Sequence, residues 1–476
     1  MDCSIYTKTK IIATIGPSSS SKKVLEDMIQ AGVNVCRINF SHGSYEDHAK
    51  VIENVRELNK KLGTHIAILA DVQGPKLRVG EMKDGSVELK AGKEIRITTE
   101  KCIGTAEQVY TNYEKFPDDV KVGDKVLLDD GKIMLEVLKT NKQNEVIAKI
   151  IQGGKLSSNK GMNLPNTKVS LPCLTEKDLK DLNFALEQNV EWIGLSFVRS
   201  ARDIIELKHI IANNHKKCRV IAKIEKPEAI KNIDAIIKET DGIMVARGDL
   251  GVEMPMESVP LIQKMIVKKC MRVSKPVIIA TQMMESMIEN LSASRAEVND
   301  VANSVMDGAD ALMLSGETSV GKHPIQVIEN MKRIILCIEQ DNELYNLKHT
   351  PEFAKDRYIS DSICYTACTL AEQSQAKAIV TMTNSGYSAF KVASHRPNCM
   401  IFIFTENQSM LNTLNLVWGV QGFYYNKYVS TDHTIADIKF KLKEEGWLQE
   451  GDLIINIASI PIMEKGQSNV VKLSAV

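Results

Sequence analysis

The sequence predicts an α/β protein whose catalytic core is a TIM (β/α)8 barrel. Apolar runs of strand length alternate with segments of helical spacing, and eight such runs remain once a strand-rich stretch after Asp71 is set aside. Polar or charged side chains follow seven of the eight runs, and functional residues of such barrels stand at the C-terminal ends of the strands. With 476 residues, the chain exceeds one ordinary core, so further domains are expected.

Two βα units and a third strand open the chain. The strands are KIIATIG (10–16), VNVCRINFS (33–41) and HIAILAD (65–71). Leu25, Met28 and Ile29 fall on one face of a predicted first helix, which Gly32 ends. The segment 45–62 has the spacing of a second helix.

After Asp71 the α/β alternation stops. Residues 74 to about 170 contain no convincing helix, but they contain the alternating runs VELKAGKEIRITTE, DKVLLDDGKIMLEVL and NEVIAKII, separated by turn residues. We therefore predict a small all-β domain, a β-barrel over residues 73–170. Because it follows a strand, it lies at the edge where the charged residues gather, which is the place for a lid.

The alternation then resumes and completes the barrel. The five further strands are WIGLSFV (192–198), RVIAKIE (219–225), GIMVARGD (242–249), PVIIATQ (276–282) and ADALMLS (309–315). The barrel domain is predicted over residues 1–72 and 171–345. Residues 346–476 are predicted to form a separate open α/β domain, with a helix near 360–373 and the strands AKAIVTMT, MIFIFT and DLIINIAS.

The stretch 219–253 carries the densest charge at the strand ends. Lys223 and Glu225 end one strand, and Arg247 and Asp249 end the next. Parallel strands joined by a helical crossover end at the same edge, so the four side chains converge. Two carboxylates beside a Lys and an Arg suit a divalent cation that holds an anionic substrate. The alternative is two surface ion pairs, which either pair alone would favour.

The composition argues against a nucleic-acid-binding, membrane or secreted protein. Lys plus Arg equals Asp plus Glu at 60 each, so no net charge attracts nucleic acid or a membrane. No apolar run approaches membrane-spanning length, and the N-terminus lacks the apolar core of a signal peptide. The ten cysteines are scattered without a CxxC pair, and Cys364 and Cys368 have the spacing of core packing. We expect a cytoplasmic enzyme with reduced thiols.

Three local signals leave alternatives open. GETSVGK (316–322) matches the P-loop pattern, but His323 follows it in place of the hydroxyl residue that ligates magnesium, and Pro324 comes next. His42 suits a general base or a solvated loop residue. TNSGYS (383–388) follows a predicted strand and suits a phosphate loop at a helix start, or a plain turn.

Signature stretches along essentially the whole chain resemble the pyruvate kinase family. They are TKIIATIGPSS, RINFSHG, KGMNLP, KIEKPEAI, GIMVARGDLGVE, ATQMMESM and RAEVNDVANSVMDGADALMLSGET. The family's architecture is a barrel, a β lid inserted after the third strand and a C-terminal regulatory domain, which agrees with the predicted layout. The resemblance implies phosphoryl transfer from phosphoenolpyruvate to ADP, with pyruvate and ATP as products.

The resemblance also implies roles for individual residues. It places Mg²⁺, or Mn²⁺ in its stead, on Glu225 and Asp249, and it leaves Arg247 to orient the neighbouring loop. It assigns catalysis to Arg37, Lys223 and Thr281; substrate binding to Arg37, Ser196, Gly248, Asp249 and Thr281; nucleotide binding to His42, Arg78 and Lys160.

One departure from the family pattern concerns potassium. Potassium-dependent members carry a Glu in the GPxxR segment and a Thr-Lys pair before it, whereas this chain reads DVQGPKLR, with Val72, Gln73 and Lys76 at those positions. The family's potassium lies beside residues that match Asn39, Ser41 and Asp71. An ammonium at Lys76 supplies the same positive charge covalently. We therefore expect a potassium-independent enzyme; in the alternative, Lys76 points to solvent and potassium is still required.

Regulation and assembly rest on the resemblance alone. It implies a homotetramer and a phosphorylated effector at the loop of Thr383, Asn384, Ser385, Gly386 and Ser388. The final segment IASIPIMEKGQSNVVKL departs from members activated by fructose 1,6-bisphosphate, so the identity of the effector stays open.

Two other functions compete with this assignment. Another magnesium-dependent barrel enzyme acting on a pyruvate-like enolate, such as an aldolase, could share KIE and the acidic pair, but it would need neither lid nor nucleotide contacts. A catalytically inactive sugar-phosphate-binding homologue could keep the fold. The intact set of Arg37, Lys223, Glu225, Asp249 and Thr281 argues against it.

Overall fold

A computed structural model describes residues 6–165, 167–353, 356–427, 430–460 and 467–476. The chain opens with strand β1 (Lys10–Ile15), helix α1 (Lys22–Ala31), β2 (Val35–Asn39), α2 (Tyr45–Leu62) and β3 (Ala67–Val72). Helix α2 begins at a capping box, in which Ser44 and Asp47 bond to each other's backbone N–H groups. It ends at Gly63, whose φ of 66° is left-handed.

The segment after β3 is the predicted strand-rich insertion, called the lid below. Its elements are β4 (Ser86–Leu89), β5 (Glu94–Thr98), β6 (Gln108–Tyr110), α3 (Phe116–Asp119), β7 (Lys125–Leu128), β8 (Ile133–Thr140), β9 (Glu145–Gln152), β10 (Gly154–Ser157) and β11 (Met162–Asn163). A six-stranded sheet of order β11-β7-β8-β9-β5-β6 and a β10-β4 pair enclose a separate apolar core. The four-residue helix α3 is the one departure from the expectation of no helix.

The second half of the barrel follows the lid. It contains α4 (Glu176–Glu187), β12 (Trp192–Leu195), α5 (Ala201–Asn213), β13 (Arg219–Ile224), α6 (Pro227–Lys231), α7 (Ile233–Glu239), β14 (Gly242–Ala246), α8 (Arg247–Glu253), α9 (Val259–Arg272), β15 (Val277–Ala280), α10 (Arg295–Met306), β16 (Ala311–Leu314), α11 (Gly316–Ser319) and α12 (Pro324–Ile338). The eight strands close in the order β1-β16-β15-β14-β13-β12-β3-β2, so the predicted TIM barrel is confirmed.

Side chains along the barrel strands alternate between two cores. In β15, Ile279 belongs to the apolar layer under the helices, whereas Ile278 fills the barrel interior. The interior core continues into the C-terminal domain, and the Trp192 indole donates to the Thr413 carbonyl across that junction (3.2 Å). One end of the barrel therefore packs against the C-terminal domain, and the lid is inserted at the other end, after the C-terminal end of β3.

Three details differ from the predicted barrel elements. The run GIMVARGD was expected to be a strand to residue 249, but β14 ends at Ala246, and Arg247 and Asp249 lie in the first turn of α8. The run WIGLSFV was expected to be a strand to residue 198, but β12 ends at Leu195 because Phe197 adopts a left-handed φ of 54°. The helix expected between β13 and β14 is split at Asn232 into α6 and α7. All three differences are local changes of backbone direction that hydrophobic periodicity does not report.

The C-terminal domain is an open α/β sheet, as predicted. Its elements are α13 (Tyr358–Ser374), β17 (Ala378–Met382), α14 (Tyr387–Ser394), β18 (Met400–Thr405), α15 (Gln408–Leu414), β19 (Val420–Tyr424), α16 (Thr431–Glu444), β20 (Leu453–Ala458) and β21 (Val470–Ala475). The sheet order is β19-β18-β17-β20-β21. Strands β19 and β21 were missed because Gln421 and Gly422 interrupt one and the other is a largely exposed edge strand.

Several smaller sequence predictions meet the structure here. Cys364 and Cys368 are buried in the core as free thiols. In GETSVGK, Glu317 is buried and accepts the N–H groups of Met284 and Ser315, while Lys322 pairs with Glu289 at the surface; this arrangement does not cradle a phosphate. Among the described helices, none is long and apolar enough to cross a membrane. The domain boundaries at 72/73, 170/171 and 345/346 stay predictions.

Candidate active site

A buried carboxylate, Asp71, lies at the centre of the candidate site. It is the penultimate residue of β3 and is 1% exposed. Arg37 of β2 donates to it through Nε and Nη2, each 2.7 Å from Oδ2, and Lys223 of β13 donates to Oδ1 at 3.0 Å. Arg37 also donates to the Thr14 hydroxyl of β1 (2.9 Å). One carboxylate thus fixes two cations from different strands at the mouth of the barrel.

The Lys223 ammonium has a partner for each of its three protons. Besides Asp71, it donates to the Ser196 hydroxyl (2.7 Å) and to Glu225 Oε1 (3.0 Å). Ser196 is buried and donates onward to the carbonyl of Val72 (2.7 Å). In this structure, therefore, the Ser196 hydroxyl supports Lys223, and the substrate-binding role expected for Ser196 stays a prediction.

Glu225 is the second buried carboxylate of the site. Its Oε2 accepts the N–H of Phe197 (2.7 Å), the residue whose left-handed conformation ends β12. The early end of that strand turns an amide toward Glu225, so the bend has a function in the site. The carboxylate is 1% exposed.

The charges of this cluster set one another's ionisation. Burial favours a lower pKa for Lys223, but Asp71 and Glu225 overcome it and raise the pKa above its ordinary value. Burial favours a higher pKa for Asp71, but Lys223 and Arg37 lower it. Burial raises the pKa of Glu225; Lys223 opposes that rise, and the negative charge of Asp249 adds to it. The pKa shifts thus favour the charged forms of Lys223 and Asp71, while Glu225 lacks full compensation.

Asp249 stands opposite this cluster in the first turn of α8. In the described part of the chain, its carboxylate has no hydrogen-bond or ion-pair partner. The preceding amide, that of Gly248, donates to the Thr281 hydroxyl (2.7 Å). Arg247 forms a two-point ion pair with Asp300 of α10 and donates to the Thr281 carbonyl (2.8 Å). The orienting role expected for Arg247 stays a prediction.

The two acidic residues fit a divalent cation of the magnesium type. Glu225 and Asp249 are hard oxygen donors, and the raised pKa of Glu225 is the sign of a carboxylate that a cation would compensate. Over the described ranges, no group of three or more His, Cys, Asp or Glu side chains could hold a metal. A site with two carboxylates relies on substrate oxygens and water for its remaining ligands, as magnesium commonly does.

The nucleotide-binding residues expected from the sequence lie toward the lid. Arg78 donates to the Asn159 carbonyl (2.9 Å), and Lys160 pairs with Asp129 (2.8 Å). His42 is exposed in the loop after β2. These contacts show no ligand role for any of the three, so the nucleotide binding expected of them stays a prediction.

The residues of the expected monovalent-cation region are close to Asp71. Asn39 accepts the backbone N–H of Ser41 (3.1 Å), and the Val72 carbonyl is taken by Ser196. Lys76 lies on the lid side of a cavity of about 730 Å³ that Asp249 also lines. Across the described residues, the Lys76 ammonium has no ion-pair partner.

The expected effector loop joins β17 to α14. Gly386, with a left-handed φ of 82°, donates its N–H to the Thr383 hydroxyl (3.0 Å). Asn384 and Ser385 are exposed, but Ser388 is buried against Ser468 (3.1 Å). Of the C-terminal segment expected to differ from activated family members, residues 461–466 lie outside the described residues.

Sequence reasoning missed three contacts of the site. It assigned Asp71 to a cation region and not to the bridge between Arg37 and Lys223. It missed Asp300, and it missed Glu253, which accepts from Lys226 (2.5 Å) and from Asn163 of the lid (2.8 Å). The position of Asp71 near a strand end could have indicated its contact with Arg37 and Lys223. Nothing in the local sequence indicates the contacts of Asp300 and Glu253, because their partners are distant in sequence.

Comparisons with known proteins agree on one family. Residues 6–328 match the family model described as "Pyruvate kinase, barrel domain", and residues 361–474 match "Pyruvate kinase, alpha/beta domain". A curated pyruvate kinase of Geobacillus stearothermophilus is 42% identical over 98% of this chain and 80% of its own length. One of Corynebacterium efficiens is 43% identical over 98% and 97%. The crystal structure of a Cryptosporidium parvum pyruvate kinase is 34% identical, with a TM-score of 0.93 over 100% of this chain and 97% of that one.

The bridge at Asp71 generates a stability prediction. Asp71→Asn removes the negative charge but keeps the shape, which leaves Arg37 and Lys223 buried with less compensation. We expect the free energy of unfolding of the barrel to fall by about 3 kcal/mol, measured as a lower urea midpoint at constant slope.

The matched control is Asp27→Asn, which breaks the exposed pair with Lys23 and is expected to leave the urea midpoint unchanged. Equal midpoints for the two variants would show that Asp71 does not hold the cluster together.

Proposed function

The chain belongs to the pyruvate kinase family, and we propose that it transfers the phosphoryl group of phosphoenolpyruvate to ADP with magnesium and without potassium. The observation that carries this proposal is the cluster of Arg37, Lys223 and Glu225 around Asp71, facing Asp249 under the lid. It offers two fixed cations for a phosphoryl group beside two carboxylates for a metal. Membership of the pyruvate kinase family makes the chain a phosphotransferase.

The two cations bind the phosphoryl group as it moves. In the transfer, the bond between phosphorus and the enol oxygen breaks, and a bond to the terminal phosphate oxygen of ADP forms. Negative charge spreads over the moving group, so cations fixed in advance stabilise it without reorganising. Asp71 orients both cations, because its Oδ2 accepts from Arg37 and its Oδ1 accepts from Lys223.

The Lys223 ammonium must exchange a partner to reach substrate. All three of its protons are engaged, by Asp71, Ser196 and Glu225. Of these partners, Glu225 is the one also assigned to the metal, and with Asp249 it would hold Mg²⁺ or Mn²⁺. When bound, the metal supplies positive charge that stabilises the enolate. If Glu225 held the metal, one Lys223 N–H would be free to donate to a phosphoryl oxygen.

Thr281 is proposed to assist the last proton transfer. After phosphoryl loss, the enolate takes one proton on its terminal carbon to become pyruvate. The Thr281 hydroxyl accepts from Gly248 and donates to the Ala280 carbonyl (2.6 Å), which orients it at the mouth of β15. A water held at this hydroxyl would pass the proton to the carbon. The amides of Gly248 and Asp249 are proposed to bind the substrate carboxylate.

The lid contributes cations to the nucleotide. Arg78 and Lys160, with His42 from the barrel, are proposed to contact the phosphates of ADP. Lys160 gives up or shares its pair with Asp129 when nucleotide binds. Closure of the lid then excludes water from the transferring group.

Lys76 is proposed to replace potassium. Its ammonium lines the same cavity as Asp249 and has no protein counter-ion in the parts of the chain that are described. In potassium-dependent members, a monovalent ion beside the residues that match Asn39, Ser41 and Asp71 supplies a positive charge near the substrate phosphate. The Lys76 ammonium is proposed to supply that charge instead. We further propose a cytoplasmic homotetramer with a phosphorylated effector at the loop of 383–388, and no nucleic-acid or membrane partner.

Replacing the central lysine tests the catalytic assignment. Lys223→Met should lower the rate of ATP formation from phosphoenolpyruvate and ADP at least about a hundred-fold, because one preorganised cation is lost at the moving charge. Binding of Mn²⁺ by titration should stay within about three-fold, since both carboxylates remain. The control Lys208→Met removes a lysine that pairs with Asp241 outside the site. Unchanged turnover in Lys223→Met would refute the role.

Potassium dependence is tested by assay in tetramethylammonium buffer. The wild type should keep its activity, whereas Lys76→Glu should lose about ten-fold or more and regain part of it with potassium, because a cation must then compensate the new carboxylate. Lys155→Glu, an exposed lid position, is the charge-matched control. A many-fold wild-type loss that potassium restores would contradict the proposal.

The effector loop is tested with a panel of sugar monophosphates and bisphosphates. At least one should bind the wild type and shift its substrate dependence, and Ser385→Ala should weaken that binding several-fold, because Ser385 is an exposed hydroxyl of the loop. Isothermal titration measures both proteins. Equal affinities for wild type and variant would count against the loop as the site.

A further inference from the structure

The turn after β15 holds two residues in an unfavourable backbone conformation. Thr281 and Gln282 have φ values of 70° and 54°. The left-handed region is uncommon for any residue other than glycine and is a clear outlier for a β-branched one. Such residues keep that conformation only where the surroundings fix it. Because Thr281 carries the hydroxyl proposed for proton transfer, what fixes the turn matters for the reaction.

The fixing group is the Arg247 guanidinium. Its Nη2 donates to the Thr281 carbonyl (2.8 Å) and lies 3.4 Å from the Gln282 carbonyl. Both peptide groups of the turn are therefore tied to one planar side chain. Arg247 is the first residue of α8, so the same residue joins the turn to the helix that presents Gly248 and Asp249.

Asp300 fixes the guanidinium in turn. Its two carboxylate oxygens accept Nη1 at 2.6 Å and Nη2 at 2.7 Å, a two-point geometry that sets the plane as well as the position of the group. The Arg247 side chain is 13% exposed and the Asp300 side chain 34%. Asp300 lies on α10, outside the barrel strands, and reaches the site through Arg247.

The Thr281 hydroxyl is placed by this arrangement within narrow limits. It accepts the Gly248 N–H and donates to Ala280. A Cβ on Gly248 would come within 3.3 Å of the Thr281 oxygen, so the α8 backbone already packs closely against it. A rotation of the turn would move the hydroxyl away from α8 and from the substrate that α8 is proposed to bind.

We propose that Asp300 is a positioning residue for the proton-transfer half of the reaction. By orienting Arg247, it holds Thr281 and Gln282 left-handed and keeps the Thr281 hydroxyl beside the enolate carbon. It contributes nothing to the cations that bind the phosphoryl group. The inference rests on the role of Thr281 proposed above. It assigns different supporting residues to the two halves of the reaction, with Asp71 supporting phosphoryl transfer and Asp300 supporting proton transfer.

The test measures the two halves separately in the full-length enzyme. Exchange of the pyruvate methyl protons for deuterium, followed by proton NMR with magnesium and inorganic phosphate present, reports proton transfer. ATP formation from phosphoenolpyruvate and ADP reports phosphoryl transfer and the KM for phosphoenolpyruvate. The variants are Asp300→Asn, which loses the charge, and Asp300→Glu, which can restore a two-point pair.

The control is Asp307→Asn. Asp307 lies at the end of α10 and accepts from Gln263 (2.9 Å) and Lys264 of α9, so its loss weakens the contacts of the same helix, α10, without touching the Thr281 turn. It should leave proton exchange within about two-fold of wild type.

We expect Asp300→Asn to lower proton exchange about ten-fold or more, because a small misplacement of a reacting group has effects of this size. The KM for phosphoenolpyruvate should change less than about two-fold, and Asp300→Glu should recover much of the exchange. If the wild type makes ATP but Asp300→Asn exchanges protons as the wild type or as Asp307→Asn does, the role of Asp300 is overturned. A wild type that makes no ATP overturns the proposed function as well.

Discussion

The buried contact of one carboxylate with two cations organises the catalytic end of this protein. Asp71 is out of water, and so are most of the Arg37 and Lys223 side chains. A buried charge that lacks compensation is costly, so the three side chains depend on one another for a partner of opposite charge. The barrel brings the three side chains together because β2 is the direct neighbour of β3, and only β12 separates β3 from β13. Ser196, at the end of β12, fills the gap between Asp71 and Lys223.

The site is thereby divided into a compensated part and an uncompensated part. Around Asp71 each charged side chain has a partner of opposite charge within the protein, whereas Glu225 keeps a raised pKa and Asp249 points into the cleft. Lys76 is the corresponding positive group on the lid side. A bound metal would compensate the two carboxylates, and a phosphorylated substrate would compensate the ammonium. Balanced groups are held rigidly, and unbalanced groups are available to ligands.

Much of this arrangement could be predicted from the order of residues, and the exceptions have a common cause. The barrel, the inserted lid and the location of Lys223, Glu225 and Asp249 follow from apolar alternation and from the rule that parallel strands end at one edge. The bend at Phe197, the pair of Arg247 with Asp300 and the contact of Glu253 with Asn163 do not. Each depends on a partner far away in the sequence or on a backbone angle that side-chain pattern does not encode. Strand β21 was missed for the related reason that an exposed edge strand needs no apolar alternation.

The position of the lid in the chain has a consequence for how the molecule folds. The lid separates β3 from β12 in sequence, yet these strands are direct neighbours in the barrel, with Leu69 opposite Trp192 and Val72 opposite Leu195. The lid is thus a loop whose two ends meet, and lengthening such a loop raises the entropy cost of closure only logarithmically. The lid has its own core, so it can collapse independently and shorten the effective distance between the two strands. We expect barrel closure at this seam to be a long-range event that follows the folding of the inserted domain.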